Sequence, residues 1–346
     1  MSPKLDEASQ NNPKYRTITD LPVHIFEEIC GHLGDNYQKE YWFTFRHVSK
    51  SFRNVVDSWN PSEFRRIEFS STARGLIIHF DGYPVSYSRK SKNWSEINIH
   101  NNNEIAYSIN QYGNFRDLAV DDLMSVLTSP GGYKLQNLII SENIDNRFAQ
   151  RLSAKFKAVG TNIDVNHVDL YAAKVTDPIP VNSILNLFRS IKKIDIKANG
   201  KQRITQRHIK PMIDTINGID AFRGRVVKID RFFTEKDDKI LFLFDLKIPK
   251  IALEYWLRGQ RAIDIVPSLL KSPNLEYFRL GTWIQRGKVE FEEYLKELGA
   301  ENDRENPNMY KYQISGSDEF FEIEMNEENR HGYFHGIHIR RKSNST

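Results

Sequence analysis

The sequence predicts an α+β chain. A helical N-terminal module is followed by a short β segment, an irregular α/β array in which strands alternate with helices, and antiparallel strands at the end. Three observations carry this prediction. Apolar residues between 22 and 59 recur at intervals of three and four, the spacing of one helix face. From residue 66 to 99 the runs are short and rich in β-formers, with turn residues such as Asp81-Gly82 between them. Beyond about residue 115, apolar-x-apolar pairs recur with helical stretches in between, and strand, helix, strand in series favours parallel pairing.

Taken in order, residues 1–15 read as a polar tail, and residues 16–60 form the helical module. Pro22 suits the first turn of a helix, where its missing N–H costs nothing. Ile25, Phe26, Ile29 and Leu33 share a face, and Gly34-Asp35-Asn36 is expected to stop this helix. A second helix is expected to carry Phe45, Val48, Phe52, Val55 and Trp59 on one stripe, and Asn60-Pro61 ends it. The β segment, residues 61–115, holds Arg66–Phe69, Leu76–Phe80, Val85–Tyr87 and Trp94–Ile99. The array, residues 116–300, has strand cores at Leu138/Ile140, Val168/Leu170, Ile194/Ile196, Val227/Ile229 and Phe278/Leu280. Helices are expected at Asp121–Leu127, Arg147–Ala158, Val181–Phe188 and Thr205–Ile216. The spacing lies in the rough range of leucine-rich and other solenoid repeats, so the array is read as leucine-rich-repeat-like. Residues 301–346 close the chain with Tyr310–Ile314, Phe320–Met325 and Tyr333–Ile339 as antiparallel strands.

Composition narrows the function classes. Hydrophobic residues make up 39% and charged residues 27% of 346, which fits a globular protein. The net charge of +4 is spread along the chain rather than gathered on a basic face, which does not argue for nucleic acid. Cys30 is the one cysteine, no apolar run approaches a membrane span, and Met1–Asn12 lacks the apolar stretch of a signal peptide. A cytoplasmic or nuclear protein is expected.

The N-terminal motif carries a resemblance. Leu21-Pro22-x-x-Ile25-Phe26-x-x-Ile29-x-x-x-Leu33, then Phe45-Arg46-x-Val48-Ser49-Lys50-x-Phe52-Arg53, resembles an F-box. Phe64-Arg65-Arg66-Ile67, Val85-Ser86-Tyr87-Ser88, Asp117-Leu118-x-x-x-x-Leu123-x-x-Val126-Leu127 and Ser317 to Glu324 are similar to the nematode F-box A family. Members of that family carry an FTH domain, named for its homology to a germline sex-determination protein. The segment Gly34 to Thr44 makes the motif longer than the family pattern by about one helical turn. The resemblance implies a non-catalytic adaptor. Its F-box would bind a Skp-type adaptor and, through it, a cullin-based ubiquitin ligase, and the rest of the chain would recruit a protein substrate. Carried over residue by residue, Leu21, Pro22, Ile25, Phe26, Ile29 and Leu33 would meet the adaptor, with Val48, Ser49 and Phe52 supporting or sharing the contact. A helical hairpin of about sixty residues with two apolar faces cannot bury both on itself, so the residues alone also ask for a partner.

Substrate recognition is expected on the array, where one side of each pleat holds the core pair and the other is free. The free positions are Ile139, Asp169, Asp195, Lys228 and Arg279. Catalytic, cofactor and metal sites are not expected. Gly281 to Lys288 has five residues between its glycines and Val289 where a phosphate loop needs Ser or Thr. His331, His335 and His338 lack a cysteine or an HExxH pattern, and an odd spacing on a strand sends His335 and His338 to opposite faces. Cys30 reads as a small buried hydrophobe, Asp237-Asp238 as a solvated turn, and Arg223, Arg225, Lys228 and Arg231 as a solvated face. The rival readings are a cullin-independent protein scaffold and, behind it, a nucleic-acid-binding repeat protein.

Overall fold

A computed structural model describes residues 21–34, 37–59, 64–72, 74–101, 104–128, 133–160, 162–171, 174–198, 212–214, 216–219, 222, 226–232, 249–255, 266–267, 269–285, 288–327 and 333–343. The expected tail at 1–15, most of the expected helix Thr205–Ile216, and Arg223, Arg225, Asp237 and Asp238 lie outside these residues. The chain divides into two compact units, Met1–Glu63 and Phe64–Thr346. The first is helical and the second is built on one large mixed sheet, so the chain is broadly α+β.

The first unit contains α1 (Val23–Gly31), α2 (Tyr37–Glu40), α3 (Trp42–Val48) and α4 (Lys50–Ser58). Pro22 sits directly before α1, and its carbonyl accepts from the Ile25 and Phe26 N–H groups. α1 ends at Gly31, earlier than the expected stop, and Gly34 takes a positive φ of 118°. The single second helix of the sequence reading is in fact two. Ser49 is extended (φ −159°, ψ 167°), and its hydroxyl accepts the Phe52 N–H at 3.2 Å, capping α4. A periodicity of three and four continues across Ser49 because the chain resumes a helix at once. Gly34 to Thr44, the lengthened stretch, supplies α2 and the start of α3.

The second unit carries a 15-stranded sheet. Its strands are β1 (Arg66–Thr72), β2 (Gly75–Phe80), β3 (Tyr83–Arg89), β4 (Trp94–Asn101), β5 (Glu104–Tyr112), β6 (Tyr133–Ile140), β7 (Ile163–Tyr171) and β8 (Ser190–Lys197). They continue with β9 (Val226–Phe232), β10 (Lys250–Tyr255), β11 (Tyr277–Gln285), β12 (Glu301–Asn302), β13 (Met309–Gln313), β14 (Glu319–Glu327) and β15 (Tyr333–Ser343). The spatial order is β12-β13-β14-β15-β11-β10-β9-β8-β7-β6-β1-β2-β3-β4-β5. Strands β1 and β6 to β11 form a parallel ladder, and antiparallel strands extend it on both sides. Segments 61–115, 116–300 and 301–346 are therefore parts of one sheet.

The apolar-x-apolar pairs fall in register. Leu138, Val168, Ile194, Val227, Ile251 and Phe278 form one transverse row, and Ile140, Leu170, Ile196, Ile229, Leu253 and Leu280 form the next. All are buried. On this face lie α5 (Phe115–Leu127) and α6 (Asn146–Val159), with α7 (Pro178–Leu185) beside α6. Tyr87 donates to Asp122 of α5 at 2.8 Å, and Phe69 meets Phe148 of α6 with ring centroids 5.9 Å apart. Asn114, Asp145 and Asp177 cap these three helices through side-chain oxygens. The helix α8 (Lys288–Glu297) follows β11. α5 begins earlier than the expected Asp121, and α7 lies a few residues before the expected Val181–Phe188.

The turn between β2 and β3 is Asp81-Gly82, with φ of 52° and 94°. Two positive φ values joining the paired residues Phe80 and Tyr83 suit the twist of a tight hairpin. Among the described residues, no helix is long and apolar enough to cross a membrane.

Candidate functional site

The helical unit has an aromatic interior. Phe26 of α1 stacks near Phe52 with centroids 4.3 Å apart, meets Phe45 edge-on at 5.1 Å, and faces Trp59 at 6.3 Å. Trp42 and Phe43 are buried, and Tyr41 stacks on Phe45 at 5.7 Å. Trp42 and Phe43, from the Gly34–Thr44 stretch, are thus absorbed into the unit's own core. Arg46, also buried, donates from Nε to Asp57 at 2.9 Å, which ties α3 to α4.

Burial sorts the residues expected to meet a partner. Phe26 and Phe52 are 2% and 4% exposed and belong to this interior, so neither offers a surface. Both are large enough to fill the space between three short helices, and a motif on paper does not show which member faces in. Ser49 serves as the cap of α4. The remaining positions lie on α1 or just beyond its ends: Pro22 is exposed, Leu21 and Ile25 are half-buried, and Ile29 and Leu33 are 45% and 46% exposed. Val48 of α3 is 39% exposed, and Val23, which the motif did not single out, is 51% exposed. These are large aliphatic side chains left open along a short helical unit. Cys30 is buried; its burial first, and the charge of Glu27 second, push the thiol up, away from the reactive thiolate.

The polar face of the sheet holds the other expected site. Ile139, Asp169, Asp195, Lys228, Ala252 and Arg279 lie in one transverse row, so the period-two reading placed its five candidates in line. They are not equally free. Ile139, Asp169 and Asp195 are 4%, 6% and 5% exposed, whereas Lys228 is half-buried and Arg279 exposed. Neighbouring strands stand about 4.8 Å apart, so short side chains inside the row are shielded by longer ones beside them. The expectation that Ile139, Asp169 and Asp195 form a free surface is therefore corrected.

The two aspartates are engaged locally. Lys197 Nζ stands 2.8 Å from Asp169 Oδ2, and Lys193 Nζ stands 3.0 Å from Asp195 Oδ2. His167, two residues before Asp169 and on the same face, brings Nε2 to 3.2 Å from Asp169 Oδ1 and 3.1 Å from Asp195 Oδ2. Burial alone would raise the Asp195 carboxyl; the polar contacts and charges of His167 and Lys193 outweigh it and hold that carboxyl below its ordinary range. Burial likewise works against the Lys197 ammonium, and its contact with Asp169 more than restores it, so its proton is held more tightly than usual. His167 escaped the sequence reading. Its i, i+2 relation to Asp169 was visible, but its approach to Asp195 depends on the pairing of β7 with β8.

Further along this face, Arg340 bridges Glu322 at 3.3 Å and Glu324 at 3.0 Å. His338 lies 3.8 Å from Glu324; burial and the charge of Arg279 lower its proton affinity. His331 and the side chain of His335 lie outside the described residues. Gly281, the first glycine of the phosphate-loop-like string, is within β11 and not in a loop. No family model, no curated protein and no solved structure matches this chain.

Proposed function

We propose that this chain is an F-box adaptor: its helical unit binds a Skp-type adaptor, and the sheet unit presents a protein substrate to a cullin-based ubiquitin ligase. The observation that carries this reading is the outer side of α1. Pro22, Ile25, Ile29 and Leu33 follow the spacing of one stripe, and Ile29 and Leu33 remain open even though the other side of the helix is packed with Phe26 and Cys30. The interior does not need these side chains, and a helical partner with an apolar groove would. Full burial of such a side chain contributes about 1.5–3 kcal/mol and burial of its open half about half of that, so several together offset part of the cost of association.

Two finer statements belong to the same proposal. The parallel strands β6 to β11, with α6 between β6 and β7 and α7 between β7 and β8, are read as a leucine-rich-repeat-like array of the FTH type, since consecutive strands pair in parallel and in sequence order. Substrate recognition is placed on its polar face, now at the more open members of the rows, Arg279, Lys228 and Lys193, rather than at the buried aspartates. Charged groups of this kind set specificity and association rate more than raw affinity.

The test is affinity purification of the full chain from cells, followed by mass spectrometry, beside the variant Ile29→Asp/Leu33→Asp. The proposal expects the Skp-type adaptor and a cullin with the parent chain and neither with the variant. Recovery of the adaptor without any cullin would favour a cullin-independent scaffold. Equal recovery of the adaptor by both proteins would remove α1 as the docking element.

A further inference from the structure

His167 Nε2 and one carboxylate oxygen each from Asp169 and Asp195 all lie within 4.8 Å of one another. Their arrangement follows from the sheet: His167 and Asp169 are two apart on β7 and share a face, and Asp195 is the residue directly across on β8. The contacts are close but poorly directed. Nε2 is 3.1 and 3.2 Å from two carboxylate oxygens, yet Nε2 itself, Asp169 Oδ1 and Asp195 Oδ1 have no aligned hydrogen-bond partner among the described residues. Asp169, only 6% exposed, aims its unpartnered Oδ1 into the cluster. A buried carboxylate oxygen without a donor is costly in a protein interior and asks for a ligand.

We infer that His167, Asp169 and Asp195 form a binding site for one divalent transition-metal ion, with Zn²⁺ as the best-fitting candidate. The ligand set, one imidazole nitrogen and two carboxylate oxygens, is of the three-ligand kind that zinc accepts while keeping a further position open. The imidazole disfavours Mg²⁺ and Ca²⁺, which prefer all-oxygen sites. The spacing fits as well. Two ligand atoms about 2.0 Å from a tetrahedral ion stand about 3.3 Å apart, close to the 3.1 and 3.2 Å between Nε2 and the two oxygens.

Lys193 and Lys197 decide how tightly such an ion is held. Each neutralises one of the two carboxylates, and their side chains are 44% and 32% exposed, whereas those of the aspartates are 7% and 8%. The lysines can swing into water and the aspartates cannot. One doubly charged ion would replace two ammonium groups with no change in the charge of the site, so the lysines act as built-in competitors.

The experiment is calorimetric titration of ZnCl₂ into the metal-free full chain, with MgCl₂ and CaCl₂ as controls. It compares the parent chain, His167→Ala, and the double variant Lys193→Met/Lys197→Met, with circular dichroism to check folding. The inference expects one equivalent of Zn²⁺ in the parent, at least tenfold weaker binding in His167→Ala, and tighter binding in the lysine variant. No saturable binding in the parent overturns it. Equal affinity in parent and His167→Ala also overturns it and means an adventitious ion only, held by other histidines. Should His167→Ala fail to fold, the lysine variant decides: tighter binding sustains the site, and unchanged or weaker binding refutes it.

Discussion

Asp145 joins two kinds of stabilisation in one side chain, and removing it gives a well-defined loss. Its Oδ1 accepts the Phe148 N–H at 2.9 Å and caps α6, and both its oxygens receive Arg116, Nε at 2.7 Å and Nη2 at 2.6 Å, which ties α6 to the start of α5. Asp145→Ala loses the cap, at about 1 kcal/mol, and a bidentate charge-assisted pair. The pair is partly open to water, with the two side chains 19% and 32% exposed, so screening reduces its contribution to about 1 kcal/mol. The sum of about 2 kcal/mol corresponds to a fall in melting temperature of about 3–4 °C for a unit as large as Phe64–Thr346. Asp145→Asn keeps an acceptor for the cap and should lose about half as much. The pH dependence has a definite sign. The hydrogen bond from Arg116 is the largest influence that depresses the Asp145 carboxyl. Its stabilisation is therefore present at and above the ordinary carboxylate range and is lost as pH falls through the lowered folded value. The difference between parent and Asp145→Ala should be full at pH 7 and shrink as the medium becomes strongly acidic. Thermal unfolding followed by circular dichroism across that range measures both. A loss below 1 °C at pH 7, or a difference that stays constant into strong acid, would refute the reasoning.

Other expectations follow from single features. A Cβ on Gly75 would stand 2.2 Å from the Tyr87 carbonyl oxygen, a backbone atom that cannot swing away. Gly75→Ala should therefore separate β2 from β3 and lower the midpoint of urea unfolding, whereas Gly82→Ala, with open space around it, should cost less despite its positive φ. Removing the chain after Asn308 takes away β13, β14 and β15 and uncovers the edge of β11, where Phe278 and Leu280 now pair with Ile339 and Ile337. Bare strand edges template association, so the truncated protein should aggregate in light scattering; a soluble product with an unchanged melting point would contradict this.

Sequence patterning carried much of the sheet, because parallel strands flanked by helices bury one alternate set of side chains, and that alternation is local. The pairs from Leu138/Ile140 to Phe278/Leu280 are all in the interior for this reason. β10 follows the same rule at Ile251 and Leu253 and was overlooked although the signal was present. β5 was overlooked as well: Ile105, Tyr107 and Ile109 alternate, but it is an edge strand whose Ile105 and Tyr112 are 58% and 67% exposed, so the pattern there is backed by little core. In the helical unit, spacing identified the apolar stripe but not its inward members, since Phe26 and Ile29 look equally apolar until three helices close around one of them. The polar cluster was legible only in part. Residues two apart on a strand share a face, but Asp195 comes to His167 through a strand pairing that no local pattern encodes.

The docking surface proposed for this chain is the open aliphatic side of α1. Its most direct test is the affinity of the purified full chain for a purified Skp-type adaptor, measured by calorimetry for the parent and for Ile29→Asp/Leu33→Asp. Full burial of such a side chain contributes about 1.5–3 kcal/mol, and each is about half exposed in the free chain, so losing both contacts amounts to about 1.5–3 kcal/mol, a weakening of at least about tenfold. Because both residues are exposed, the melting temperature should stay unchanged. Tight one-to-one binding by the parent and at least about tenfold weaker binding by the variant are expected. Equal affinities, or no binding by the parent chain at all, would contradict the proposal.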